Sequence, residues 1–165
     1  MKLLGLLSDI CEKVAIAVAA FLLVVVFCLV FGGVVLRMTG HNFSMSEELS
    51  RWGLVSICFM GASAALKQKM HVAVNMLVDL LPLFVGKIVV TISYVLVFVL
   101  LVYSTGYSWK AAMGAEGMTG DIVPMSMMWV KLALPIGMGM MVVHLVHGFL
   151  HIYSSPDIDS IRIGT

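Results

Sequence analysis

The sequence predicts an all-α integral membrane protein with four spanning helices, and three observations carry that prediction. Hydrophobic residues make up 61% of the 165, and charged residues only 12%, about half the share usual in a soluble domain. Mean hydropathy is +1.08. Apolar stretches approaching or exceeding the ~20 residues that cross a bilayer recur along the chain, separated by short polar breaks. The whole of 1–165 reads as one membrane domain. A formal net charge of +1 gives no electrostatic footing for nucleic acid.

Span one is placed at 14–36, the uncharged run from Val14 to Leu36. Asp9, Glu12 and Lys13 interrupt the apolar residues before it. The run is longer than a signal-peptide core of ~7–15 residues and lacks a convincing cleavage site, so it reads as a retained helix.

Span two is placed at 45–66. Trp52–Leu66 is too short alone, so the helix must start earlier. Ser44-Met45-Ser46-Glu47 has the spacing of a capping box, with Ser44 as N-cap. Glu47, Glu48 and Arg51 then lie at the membrane boundary. Glu47 and Arg51 stand four apart in the favourable acid-first order. Carboxylates at membrane depth are candidates for function; the competing reading is a solvated, self-compensating helix start. Gly53, Ile57, Gly61 and Ala65 share one face, and small residues let membrane helices approach closely.

Residues 67–82 form an amphipathic link. Lys67, His71, Asn75 and Asp79 recur every fourth residue, a step that drifts only ~40° round a helix. They form one polar face, read as lying in water at the membrane surface. A relay or metal site through His71 and Asp79 is the sharper alternative, but two turns separate them. Span three is 83–109, opened by Pro82 and long enough to require tilt. Span four is 129–151, with Pro135, Gly137 and Gly139 marking a bend near its start.

With the N-terminus inside, Lys2, Lys13, Lys67, Lys69, Lys87 and Arg162 fall on the cytoplasmic side, against Arg37, Arg51, Lys110 and Lys131 outside. That bias places both termini in the cytoplasm. Trp52, Trp109 and Trp129 then mark the outer interface, where amphipathic rings anchor.

Other constellations have plainer readings. His144, His147 and His151 share a face of span four and could ligate metal or haem. With His71 they motivate an alternative, a haem-binding membrane anchor of a quinone-linked redox enzyme. The plain reading is a partly solvated interfacial set. The 14 methionines read as packing or partner surface. Cys11, Cys28 and Cys58 have neither disulfide nor zinc spacing. No ionisable residue lies in the middle of span one or span four, and no nucleophile–base set is visible. A chain of this kind is expected to be neither an enzyme nor a solute carrier by itself.

Ser46-Glu47-Glu48-Leu49-Ser50-Arg51-Trp52, then Gly61-Ala62-Ser63-Ala64-Ala65-Leu66, His71-Val72-Ala73-Val74, Leu81-Pro82 and Pro135-Ile136-Gly137 stand in an order that resembles the small membrane subunit (the DctQ-like or Q subunit) of TRAP, tripartite ATP-independent periplasmic, transporters. The resemblance implies a multi-pass protein of the bacterial inner membrane. It implies two protein partners, a large membrane subunit that moves as an elevator and a periplasmic substrate-binding protein, besides membrane lipid. The small subunit would brace the large one during sodium-coupled uptake of organic anions such as carboxylates or sulfonates. Sodium belongs to the large subunit, and no cofactor is expected in this chain. Candidate subunit-interface or structural residues are Glu47, Glu48, Arg51, Gly53, Gly61, Ala65 and His71. Arg37, Glu116 and Asp121 are candidates for docking the periplasmic protein.

Overall fold

A computed structural model describes residues 2–68 and 83–154, with the side chains of Lys2, Leu83, Phe84, Lys87 and residues 151–154 left aside. Among the described residues five helices follow in order: α1 (Lys2–Met38), α2 (Ser44–Lys67), α3 (Leu83–Met113), the short α4 (Met127–Lys131) and α5 (Ala133–Ser154). Four stretches of these residues, Leu3–Met38, Ser44–Lys67, Ile88–Met113 and Met127–Leu150, are long and apolar enough to cross a membrane.

Helix α1 begins twelve residues earlier than the uncharged run that predicts it. The charges at Asp9 and Glu12 do not break the helix. Residues 2–13 contain no proline and a single glycine, and both acids find a cationic partner on α2. The helix stops in a Schellman turn: Gly40, at φ +80°, donates to the Arg37 carbonyl (3.2 Å), and His41 donates to that of Leu36 (3.0 Å).

Helix α2 starts without the expected capping box. Phe43, not Ser44, is the N-cap, and no side chain caps the helix. Glu47 is drawn away to Arg37 instead, and the Ser46 hydroxyl turns back to donate to the Phe43 carbonyl at 2.7 Å. At its other end α2 runs through Lys67, so Lys67 belongs to the spanning helix and not to a link. His71, Asn75, Asp79 and Pro82 lie outside the described residues.

Helices α2 and α5 form the centre of the bundle. α1 packs mainly on α2 and to a lesser extent on α5; α3 packs on α5. Small residues set the close approaches. A Cβ on Gly137 of α5 would lie 2.8 Å from the Phe59 Cβ and 3.2 Å from its backbone. On the α1–α2 seam, a Cβ on Gly53 would overlap Val26, and one on Gly33 would sit 2.5 Å from the Ser46 hydroxyl. The α3–α5 seam uses Tyr94 against Phe149, ring centres 6.1 Å apart, and the Ser108 hydroxyl beside the Met138 sulfur at 3.8 Å. Outward, α1 and α3 present large apolar side chains such as Phe21, Phe31, Leu96 and Leu100. A bilayer or a partner helix suits that surface; water does not.

The fourth span is interrupted near its start. Ser126 caps α4, accepting from the Met128 amide at 3.3 Å; Leu132 separates α4 from α5. Pro135 falls in the first turn of α5, where a missing N–H costs little. Lys2, Lys67, Leu83 and Ser154 lie at one end of the bundle, here the terminal end. The segment 114–126 closes the other, the loop end.

Candidate functional site

Two polar groupings stand at opposite ends of the bundle, and α2 contributes to both. At the loop end, Glu48 sits one turn into α2 and is 5% exposed. A buried carboxylate needs donors or a counter-charge to offset lost hydration. Glu48 finds three consecutive backbone amides: Asp121 at 2.9 Å, Ile122 at 2.9 Å and Val123 at 2.8 Å. Such a concave run of N–H groups is a natural anion cradle, and hydrogen bonds to an ionised acceptor are the strong kind.

The segment that supplies the cradle is itself folded. Met127 donates to the Met118 carbonyl at 2.8 Å, Gly120 to that of Met125 at 3.2 Å, and the Ser126 hydroxyl to that of Glu116 at 3.0 Å. Ala112, in the last turn of α3, and Ala115, within the segment, are fully buried. Gly120 is pressed between groups from both sides. A Cβ there would lie 2.7 Å from the Val123 carbonyl oxygen, 2.8 Å from Glu48 Oε1 and 2.8 Å from Trp52 Cη2.

The other charges of this end behave differently from expectation. Glu47 pairs with Arg37, not with Arg51, and both partners are largely exposed. Arg51 is exposed, and among the described residues its side chain donates to the Glu47 main-chain carbonyl, at 3.4 Å. Glu116 and the side chain of Asp121 are exposed at the same end as Arg37. Thus the three docking candidates share one end, while the Glu47–Glu48–Arg51 trio divides: Glu48 faces inward and the other two outward.

At the terminal end, Lys67 bonds Asp9 at 2.6 Å and Glu12 at 2.7 Å, and the Gln68 amide donates to Glu12 at 3.1 Å. Only 16% of the Lys67 side chain is exposed. The wet polar face expected of Lys67 is therefore corrected: the acids of α1 cover it. Beside this group, Ser8 on α1 meets His144 Nδ1 on α5 at 2.9 Å, and both residues are buried. His144 is not a solvated interfacial histidine. Among the described residues its Nε2 and the Ser63 hydroxyl lack a partner. His147 lies near Gly5, while nothing is described of the His151 side chain. Among the described residues, no group of three or more His, Cys, Asp or Glu side chains is placed to hold a metal.

Of the small-residue face, Gly53 sits against α1, whereas Gly61 has, among the described residues, nothing beyond its own helix within 4 Å of where a Cβ would stand. Ala65 is half-buried. His71 lies outside the described residues. Sequence reasoning missed Gly120, the Asp9–Glu12–Lys67 group and the Ser8–His144 bond. Two acids just before the first span and a lysine just after the second were the available signal for the second of these.

Comparison with known families decides the class. The family model for the DctQ component of tripartite ATP-independent periplasmic transporters matches residues 26–154, most of the chain. The chain is a DctQ-family protein. No curated protein matches it in sequence. As a DctQ component it is a transporter part, not an enzyme, and a multi-pass protein of the inner membrane. DctQ components work, at the family level, with a large membrane subunit and a periplasmic binding protein. Nothing supports the haem-anchor alternative: the family is a transporter family, not a redox one.

Proposed function

We propose that this DctQ-family chain is the fixed scaffold of a sodium-coupled transporter for organic anions, carboxylates or sulfonates. It braces a large elevator subunit that holds the substrate and sodium sites, takes no cofactor itself, and offers its loop end to the periplasmic binding protein. The observation that carries this reading is how the buried charge of Glu48 is used. It accepts three amides of its own chain and ties a loop to a helix, an arrangement that rigidifies structure. A scaffold needs that rigidity; a moving carrier needs groups that exchange partners.

Both termini are assigned to the cytoplasm. The excess of Lys and Arg in the sequence segments assigned to the inside, six against four, supports this orientation. Arg37, Glu116 and Asp121 then face the periplasm as docking residues.

The test is co-expression with the large subunit encoded beside it, followed by uptake measured in vesicles. A stable complex is expected, with sodium-dependent anion uptake that is lost when this chain is deleted. Uptake that survives deletion, with no complex formed, overturns the proposal. Charge reversal at Arg37, Glu116 and Asp121 together should slow uptake at limiting binding protein and leave complex assembly intact.

A further inference from the structure

One exposed face of α3 ends in a polar notch. Tyr103, Gly106, Tyr107 and Lys110 stand at i, i+3, i+4 and i+7, one face of a helix. All four are exposed, the two tyrosines at 65% and 58%. The tyrosine ring centres lie 4.6 Å apart, and the Tyr103 hydroxyl donates to that of Tyr107 at 3.0 Å. The Lys110 ammonium stands 5.9 Å from the centre of the Tyr107 ring, within reach of cation–π attraction. Gly106 is the gap in this face. Among the described residues, nothing beyond its own helix lies within 4 Å of where its Cβ would stand. Toward the middle of the span the same side continues as Leu96, Val99 and Leu100, all exposed and apolar.

Two groups of the notch have capacity to spare. Tyr107 accepts from Tyr103, which leaves its own O–H to donate. A donor in an apolar surround without an acceptor costs free energy. Lys110 is the single charged residue of Ile88–Met113, and among the described residues no carboxylate pairs with it. Tyr103 and Lys110 lie about 10 Å apart along the axis at ~1.5 Å per residue. A headgroup layer is roughly 5–8 Å deep on each side of the hydrocarbon. With the lower tyrosine at the edge of the acyl chains, the lysine stands at the level of lipid phosphates. The matching ligand carries anionic oxygens at one end and an apolar chain at the other.

We infer that this face of α3 is a binding site for an anionic phospholipid. The Lys110 ammonium and the Tyr107 hydroxyl take the phosphate oxygens, the glycerol backbone lies against Gly106, and an acyl chain runs along Val99 and Leu96. A free phosphate supplies nothing for the apolar part of the face. An apolar helix laid over it would leave the ammonium and the hydroxyl without acceptors. Interfacial anchoring asks only that amphipathic rings lie at headgroup level; here a gap, a spare donor and an unpaired cation share one side of a helix. The inference goes beyond the scaffold reading and stands without it.

The test is competition between dioleoyl phosphatidylglycerol and dioleoyl phosphatidylcholine, supplied in equal amounts to the full chain in detergent and read by native mass spectrometry. The wild-type chain should retain phosphatidylglycerol about fivefold over phosphatidylcholine, the amount one lysine contributes against anionic lipid. Lys110→Gln and Gly106→Leu should each remove that preference, and Tyr107→Phe should reduce it. Lys13→Gln, toward the opposite end of the bundle, should leave it intact. No preference in the wild type, a preference that survives Lys110→Gln, or an equal loss in Lys13→Gln overturns the inference. So does displacement of the bound lipid by inorganic phosphate, which would make this a site for a free anion. Should Gly106→Leu fail to fold, Lys110→Gln and Tyr107→Phe decide, because each alters only an exposed polar group.

Discussion

Glu48 and Gly120 are packed so closely that a single added carbon on the glycine would stand 2.8 Å from the carboxylate oxygen. Seventy-two positions separate them in sequence, yet each sets what the other can be. The glycine leaves the room in which the carboxylate reaches three amides, and the carboxylate fixes the turn that the glycine occupies.

Gly120→Ala is therefore expected to destabilise the chain. The new methyl meets a main-chain carbonyl oxygen, an indole edge and a carboxylate that three amides hold in place. Overpacking of this kind costs about 1–3 kcal/mol. Thermal unfolding of the purified protein in detergent checks it; an unchanged midpoint would show that the segment can shift freely.

Glu48→Gln removes the charge and puts an amide NH2 where one acceptor oxygen stood, facing N–H donors. Limited proteolysis between residues 114 and 126 should accelerate several-fold, while cleavage elsewhere stays unchanged. Glu48→Asp should fall between the two, since a carboxylate one methylene shorter can satisfy only part of the cradle. Equal cleavage rates in all three proteins would mean that the amides have adequate partners in water.

Most of the fold was legible because membrane helices announce themselves through length and apolarity alone. Glu48 was also singled out, because a carboxylate near the start of an apolar span stands out. Its partners were not legible. Backbone amides have no side-chain signature, and Gly120 is one of several glycines in its segment. The capping box failed for a related reason: Ser44 and Glu47 have the right spacing, but Arg37, brought back by the turn at Gly40, competes for Glu47. Lys67 was misread because its four-residue rhythm with His71, Asn75 and Asp79 looks like one surface, whereas Asp9 and Glu12 claim it from another helix.

Lys67→Met should loosen the start of α1. It leaves Asp9 and Glu12 without their cation and takes a partner from the α1–α2 seam. Hydrogen exchange of the amides of residues 2–13 is expected to speed up several-fold relative to residues 20–30. Reversing the pair, Lys67→Glu with Glu12→Lys, should restore part of the protection; no restoration would mean that the pairing contributes little beyond packing.

Gly61 separates internal packing from partner packing. Among the described residues, nothing beyond its own helix stands within 4 Å of its missing Cβ, so Gly61→Val should change the stability of the isolated chain by no more than about 0.5 kcal/mol. If the face receives a large-subunit helix, the same variant should fail to co-purify with that subunit. Gly137→Val supplies the contrast. It collides with Phe59 inside this chain and should lower stability with or without the partner.

Arg51→Ala should leave the isolated chain within about 0.5 kcal/mol of wild type, because the guanidinium is exposed and, among the described residues, donates to one main-chain carbonyl. A marked loss of uptake with normal stability would assign Arg51 to an intersubunit contact; a marked loss of stability would contradict the exposed placement.

Helix α2 is fastened at both tips: Glu48 binds its upper end to the connection between α3 and α5, and Lys67 binds its lower end to α1. A rod clamped at two points transmits force instead of pivoting. A push on the 121–123 segment from a docked protein would travel down α2 as a rigid displacement and arrive at the foot of α1, about five helical turns away, without any side chain having to change partners.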